Sequence, residues 1–271
     1  MGLPLTDAEW LLDHHKIKII ERSKYIHLLP IQEGDDVLDV CCGSGQYSSL
    51  LAECVGHKGS VVGYDFDAKL LDEAYRRSRT HPLAKNISFQ YVDIVKQGSS
   101  DKKFDVIFAA NFLSYYDNYF DIVQQMHGLL RPGGRLIVKD SDFGYFALAP
   151  LPPGLQADIV AAAQRNTARR GTAVEFDNFF GRRIPGILKR CPHRRINVQC
   201  WGFNLFSPLS NEEKRYISTN LMTLGTQAKP CVREEDFLEW MRLIDQNGED
   251  SVLNQDDCFF SMSEVVGVLY L

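Results

Sequence analysis

A strand that runs straight into alternating glycines limits this chain more than any other feature. Asp36-Val37-Leu38-Asp39-Val40 is a short apolar run, and Cys41-Cys42-Gly43-Ser44-Gly45 follows it at once. Glycines at that spacing let the backbone pass close to a ligand, where a Cβ would intrude. A helix read over 47–55 then offers free N–H groups at its start. A second apolar run, Ser60–Asp65, ends on a carboxylate twenty residues beyond Gly45. An acid at that place can accept hydrogen bonds from ribose hydroxyls. The combination describes an α/β fold that binds a nucleoside.

The rest of the chain keeps the same alternation. Apolar periodicity predicts a first helix over 6–29, capped by Asp7, then helices over 68–80 and 117–130 and strands over 87–92 and Phe104–Ala110. Pro132-Gly133-Gly134 reads as a turn before a strand over 135–139. Strand and helix alternating at this spacing predict βαβ units and a doubly wound, Rossmann-like sheet of seven mostly parallel strands. After Asp140 the pattern changes. Residues 143–153, rich in Phe, Tyr, Pro and Gly, read as a loop. Helices follow over 155–170, 179–190, 211–224 and Glu234–Ile244, with strands over 195–203 and 265–271. The expected organisation is a helical cap (1–30), a cofactor-binding core (31–141), a helical insertion over the substrate (142–194), and the end of the core sheet (195–271) carrying a second helical insertion at about 207–257.

Glycine patterns alone do not choose the nucleoside. The GxGxxG fingerprint of NAD enzymes aligns on Gly43-Ser44-Gly45-Gln46-Tyr47-Ser48, so its last glycine is missing, and no Gly-Lys-Ser/Thr follows to make a phosphate loop. The order of four motifs does choose. Asp39-Val40-Cys41-Cys42-Gly43-Ser44-Gly45 resembles the first motif of class I methyltransferases, with Cys41 in place of its first glycine, as in the quinone-biosynthesis branch. Gly63-Tyr64-Asp65 resembles the second motif, and Tyr91-Val92-Asp93-Ile94 the adenine-contacting segment. Residues 129–138, Leu-Leu-Arg-Pro-Gly-Gly-Arg-Leu-Ile-Val, are similar to the stretch before the fifth strand. The resemblance spans half the chain and implies S-adenosyl-L-methionine as cofactor. It implies Asp65 at the ribose, Asp93 and Ile94 at the adenine, Gly43 and Gly45 beneath the methionine portion, Asn111 near it, and Asp39 ordering the turn. Cys41 and Phe66 fall within the same motifs, and Tyr25 is placed to close over the cofactor.

Methyl transfer from a sulfonium asks the protein mainly to align a nucleophile and exclude water. Candidates to assist lie after the fourth and fifth strands. Tyr115 and Tyr116 can face the sulfonium, and Asp142 can serve as base or acceptor. His14, on the first helix, has a suitable pKa for proton removal. Each has a plainer alternative: packing for the tyrosines, loop capping for Asp142, a surface role for His14. The basic run Arg182-Arg183, Lys189-Arg190, His193-Arg194-Arg195 reads first as a solvated face.

Composition narrows the acceptor. A formal charge of −5 lacks the global footprint of a nucleic-acid binder. The Asn-Pro-Pro-Tyr form of amide or adenine methylation is missing after the fourth strand, no Pro-Cys pair there suggests a cytosine C5 nucleophile, and no metal-ligand spacing occurs. Seven scattered cysteines, no leader and no apolar run of spanning length lead to the expectation of a cytoplasmic chain without membrane partner. Aromatic residues in the insertions (Phe143, Tyr145, Phe146, Phe176, Phe179, Phe180, Trp201, Phe203, Phe206) suit a small aromatic or apolar acceptor of secondary metabolism, or form a core of their own. Homo-oligomerisation is left open. An NAD-dependent oxidoreductase and a non-catalytic cofactor sensor are the two alternatives.

Overall fold

In a computed structural model the described residues are 8–96, 103–170 and 176–271. The elements in chain order are α1 (Ala8–Ile26), β1 (Asp36–Val40), α2 (Gln46–Val55), β2 (Ser60–Asp65), α3 (Ala68–Ser78), β3 (Ile87–Tyr91), β4 (Phe104–Ala110), α4 (Tyr119–Gly128), β5 (Leu130–Ala149), α5 (Pro153–Arg170), α6 (Ile184–Lys189), β6 (Arg195–Phe206), α7 (Asn211–Ala228), α8 (Glu234–Ile244) and β7 (Phe259–Tyr270). Asp7, the expected cap of the first helix, lies outside the described residues.

The seven strands form one sheet in the order β3-β2-β1-β4-β5-β7-β6. β1 pairs in parallel with β2 and β4, β2 with β3, and β4 with β5. Val37, Leu38, Val40, Val61, Val106, Ile107 and Phe108 are buried, as continuous apolar strands covered on both faces must be. Register sets Val40 beside Tyr64 and Ala109, Asp65 beside Tyr91, and Ala110 beside Lys139. The carboxyl ends of these strands therefore finish at one edge, where open α/β sheets bind ligands.

The chain divides into two compact units. The first comprises 1–140, 181–200 and 265–271 and holds the β1–β4 framework with α1–α4 and α6. Its helix α3 starts at Asp67, whose side chain accepts from the N–H groups of Lys69 and Leu70, satisfying donors that a helix start leaves orphaned. The second comprises 141–180 and 201–264. It packs α5 against α7 and α8. Ser210 and Glu213 cap α7 reciprocally. Trp240 is fully buried, donates to the Leu221 carbonyl at 3.0 Å, and lies against Gly225, where a Cβ would come within 2.7 Å of the indole.

Two expectations are corrected. The segment 143–153 is a strand as far as Ala149, not a loop. Phe146 and Leu148 are buried while Tyr145, Ala147 and Ala149 are exposed, the two-residue period of a half-buried strand. Pro132-Gly133-Gly134 does not separate α4 from β5. It forms an irregularity inside β5, where pairing passes from Phe104–Leu130 to Val106–Arg135 and Gly133 takes φ 79°.

Most of the aromatic residues weighed for the acceptor are buried in the second unit's core. Phe143, Phe146, Phe176, Phe179 and Phe203 are buried. Phe146 contacts Phe143, Trp240 and Phe260, and Tyr216 contacts Phe203 and Phe260. Only Tyr145 and Phe206 of this set are openly exposed.

Candidate functional site

The glycine turn is held by its neighbours on both sides. The Cys42 N–H donates to the Tyr64 carbonyl at 2.9 Å, continuing the ladder past β1. The chain then turns through left-handed conformations at Cys41 (φ 54°), Gly43 (φ 56°) and Gly45 (φ 75°). A non-glycine residue at positive φ is uncommon and costly. At Gly43 a Cβ would come 3.5 Å from Leu11 Cδ1, so α1 lies across the turn. At Gly45 a Cβ would stand 3.0 Å from both Ala74 and Phe89. This second glycine is thus needed for packing against α3 and β3.

Asp65 ties the turn to the end of β2. Its Oδ2 accepts the Gly43 N–H at 2.8 Å and its Oδ1 the Asp67 N–H at 2.9 Å. Burial raises its pKa, and the N–H groups of Asp67 and Gly43 pull it back. A carboxylate has about four acceptor sites, so capacity remains for hydroxyl donors. Phe66, beside it, is 39% exposed. Asp93 follows β3, accepts the Val95 N–H at 3.1 Å and pairs with Lys96 at 3.0 Å. Desolvation opposes its ionisation, but the hydrogen bonds from Lys96 and Val95 outweigh it and lower its pKa. Ile94 is buried next to it.

Asp39 sits behind the turn, buried one residue before the end of β1, and accepts the Ser48 hydroxyl at 2.6 Å. Burial pushes its pKa up to about 7. The Ser48 bond opposes the shift and the Asp65 charge adds to it. Cys41 and Cys42 are held as thiols, well above the ordinary cysteine range, by burial and then by the nearby carboxylates.

Beyond β4, Asn111 is also left-handed (φ 57°), a conformation its short amide tolerates. Its N–H donates to the Lys139 carbonyl and its Oδ1 accepts from Lys139 Nζ, both at 2.9 Å. Tyr115 is pushed up by burial and then by the Asp140 charge. Tyr116 is pushed up to about 12 by burial, then by Cys41, Asp93 and Asp65.

α1 carries a charged stripe on its inner face. Lys18 and Arg22 are almost fully buried. The Arg22 guanidinium reaches His14 Nε2 and His15 Nδ1, each at 3.2 Å, and lies 4.8 Å from the centre of the Tyr47 ring. Burial, then Arg22, Lys18 and Lys139, hold His14 well below the ordinary histidine range. Tyr25 is buried and its hydroxyl contacts that of Tyr47 on α2.

The structure thus brings Asp39, Cys41, Gly43, Gly45, Asp65, Phe66, Asp93, Ile94 and Asn111 to one edge of the first unit, with His14, Tyr25 and Tyr115 in the same unit. Asp142 belongs to the second unit, where its Oδ1 accepts the Gly144 N–H at 2.9 Å. Sequence reasoning missed Ser48, Lys139, Lys18 and Arg22. Lys139 had a signal, as a cation ending an apolar strand at the ligand edge. Lys18 and Arg22 had a fainter one, falling four and eight residues after His14 on one helix face. Among the described residues no cluster of His, Cys, Asp and Glu is suited to hold a metal, and no helix is long and apolar enough to cross a membrane.

A methyltransferase-domain family model matches residues 31–213, more than half the chain, and the chain belongs to that family. Membership of that family makes S-adenosylmethionine its cofactor. It is 31% identical over 120 residues to a demethylmenaquinone methyltransferase of Lactobacillus johnsonii, covering 44% of this chain and 49% of that protein. It is also 31% identical over 131 residues to a 27-O-demethylrifamycin SV methyltransferase of Amycolatopsis mediterranei, with 48% and 46% covered. The chain therefore spans about half the length of the curated relatives it matches. A solved cyclopropane-fatty-acyl-phospholipid synthase-like protein from Lactobacillus casei aligns with TM-score 0.59 at 16% identity, over 100% of this chain and 96% of that one. Coclaurine N-methyltransferase bound to N-methylheliamine and SAH aligns with TM-score 0.54 at 14% identity, over 93% and 72%. These two share the fold. The named relatives do not favour the nicotinamide alternative.

Proposed function

We propose that this chain transfers a methyl group from S-adenosylmethionine to an oxygen, nitrogen or carbon atom of a small aromatic or apolar molecule. The observation that carries the reading is the bond from the Gly43 N–H to Asp65 Oδ2. It locks a left-handed glycine turn to a carboxylate at the ends of adjacent parallel strands, with no Cβ between turn and ligand. The residues fit the cofactor. Asp65 accepts from the ribose hydroxyls, Phe66, Asp93 and Ile94 flank the adenine, and the backbone at Cys41, Gly43 and Gly45 passes under the methionine portion. Asn111, fixed by Lys139, borders it, Asp39 holds the turn through Ser48, and Tyr25 closes α1 down on α2.

When bound, the cofactor supplies a methyl group already activated by the sulfonium charge. The chain's own task is to align the acceptor and keep water out. Tyr115 lies beside this edge as a neutral phenol. His14, held neutral, can accept a proton only from an acceptor that becomes strongly acidic as it reacts. Asp142, whose Oδ1 accepts the Gly144 N–H, is the third candidate to meet the acceptor. The small-molecule reading is supported by the menaquinone and rifamycin precursors in the relatives' names. Seven free thiols suit a cytoplasmic setting.

The organisation we infer is a cap (1–30), a cofactor core (31–141), and helical insertions at 142–194 and about 207–257. The test is incubation with methyl-labelled S-adenosylmethionine and a panel of electron-rich aromatics and heterocycles, read by mass spectrometry. A product heavier by one methyl group supports the reading. Cofactor binding without turnover on any acceptor favours the sensor alternative.

A further inference from the structure

The segment 181–200 carries six Lys or Arg residues and no Asp or Glu. Since the whole chain stands at −5, the remaining residues carry a formal −11. Four of these cations are not neutralised by folding. Lys189, Arg190, Arg194 and Arg195 are exposed, and among the described residues none of the four has a carboxylate within ion-pair reach. Elsewhere the pattern is opposite: Arg131, Arg233 and Arg242 each hold carboxylates.

The patch is also a fixed surface. α6 beneath it buries Ile184, Ile187 and Leu188, and Ile184 and Leu188 lie against Gly267 of β7. His127 of α4 bonds the Pro192 carbonyl at 2.9 Å, and the Arg194 N–H donates to the Tyr270 carbonyl at 2.8 Å. The guanidinium of Arg190 stacks 3.5 Å from the centre of the Phe120 ring, and that of Arg195 lies 4.2 Å from the centre of Tyr270. Stacking restrains both heads where they are exposed.

We propose that the face formed by α6, residues 190–194 and the start of β6 docks the protein peripherally on a bilayer rich in anionic phospholipids. Each Lys or Arg near an anionic surface is worth about 1 kcal/mol, and clusters of such residues are what recognise it. Two observations favour lipid over nucleic acid. The aromatic rings next to the patch are covered by the protein's own guanidinium groups, so no platform is left for base stacking. The rest of the chain is strongly acidic and would repel a polyanion that follows the surface, whereas a plane meets one face alone. The inference is independent of the methyl acceptor.

The test is co-sedimentation of the full chain with phosphatidylcholine vesicles and with phosphatidylcholine–phosphatidylglycerol vesicles, at low and high salt. The expected result is partition onto the anionic vesicles only, abolished by salt as surface charges are screened. Lys189→Glu with Arg194→Glu, neither of them stacked, should lower that partition at least tenfold while S-adenosylhomocysteine binding persists. Should the double reversal fail to fold, Lys189→Gln with Arg194→Gln is expected to give a smaller loss in the same direction. Equal partition on neutral vesicles, an unaffected variant, or tighter binding to a single-stranded oligonucleotide at equal phosphate concentration would overturn the proposal.

Discussion

Replacing Asp39 with asparagine should make this protein more stable above neutral pH, although it removes a buried charged group. In the folded chain burial raises the Asp39 pKa from 3.8 to about 7. Between those values the native state holds a proton that the unfolded chain has released. The stability contributed by the protonated carboxyl is therefore full below pH 3.8, declines as pH rises, and is gone above about 7. The difference, about three pKa units, corresponds to a loss on the order of 4 kcal/mol across that window. Asparagine does not titrate, and its amide oxygen can still accept the Ser48 hydroxyl now held at 2.6 Å. Asp93 shifts downward in both proteins and cancels in the difference; the repulsion between Asp65 and Asp39 is absent from the variant and is part of the difference measured. Urea unfolding of the parent and Asp39→Asn at stepped pH, with equal m-values, measures it. The gap should move in the variant's favour by about 2–3 kcal/mol from pH 5 to pH 7.5. Parallel pH profiles would refute the reasoning, since Asp39 would then titrate alike folded and unfolded.

Three further outcomes follow from the same geometry. Asp65→Ala should weaken S-adenosylhomocysteine binding by about 1–3 kcal/mol, the size of lost charge-assisted hydrogen bonds; unchanged calorimetric affinity would remove Asp65 from the ribose site. Gly43→Val should abolish cofactor binding, because a β-branched residue is placed at φ 56° under Leu11; a folded variant that binds normally would refute the turn's role. Gly63→Ala places a methyl 2.6 Å from Phe89 and 2.8 Å from Cys42. It should cost about 1–3 kcal/mol of stability by overpacking, and a thermal midpoint equal to the parent's would show that the sheet yields there.

The parts of the fold legible in the sequence were those whose physics is local. β1, β2 and β4 begin and end where read, because each is a continuous apolar run bounded by turn-forming or charged residues. The second half of β5 was not legible by composition, since Gly144, Pro150 and clustered aromatics look like a loop. Its alternation of buried Phe146 and Leu148 with exposed Tyr145 and Ala147 was the better signal. In the site, Gly43 and Asp65 were legible because positive φ and an acid at a strand end leave few substitutes. The bond between them was not, being a tertiary contact over twenty-two positions. The charged stripe of α1 escaped for a related reason. Buried Lys18 and Arg22 break the rule that long cations stay in water, and sites of function are where such rules fail.

Titration calorimetry of the full chain with S-adenosylhomocysteine, and separately with NADH, tests the central claim most directly. The account predicts saturable one-to-one binding of S-adenosylhomocysteine, lost in Gly43→Val, and no heat with NADH. Binding of NADH, or of S-adenosylhomocysteine by Gly43→Val as tightly as by the parent, would contradict it.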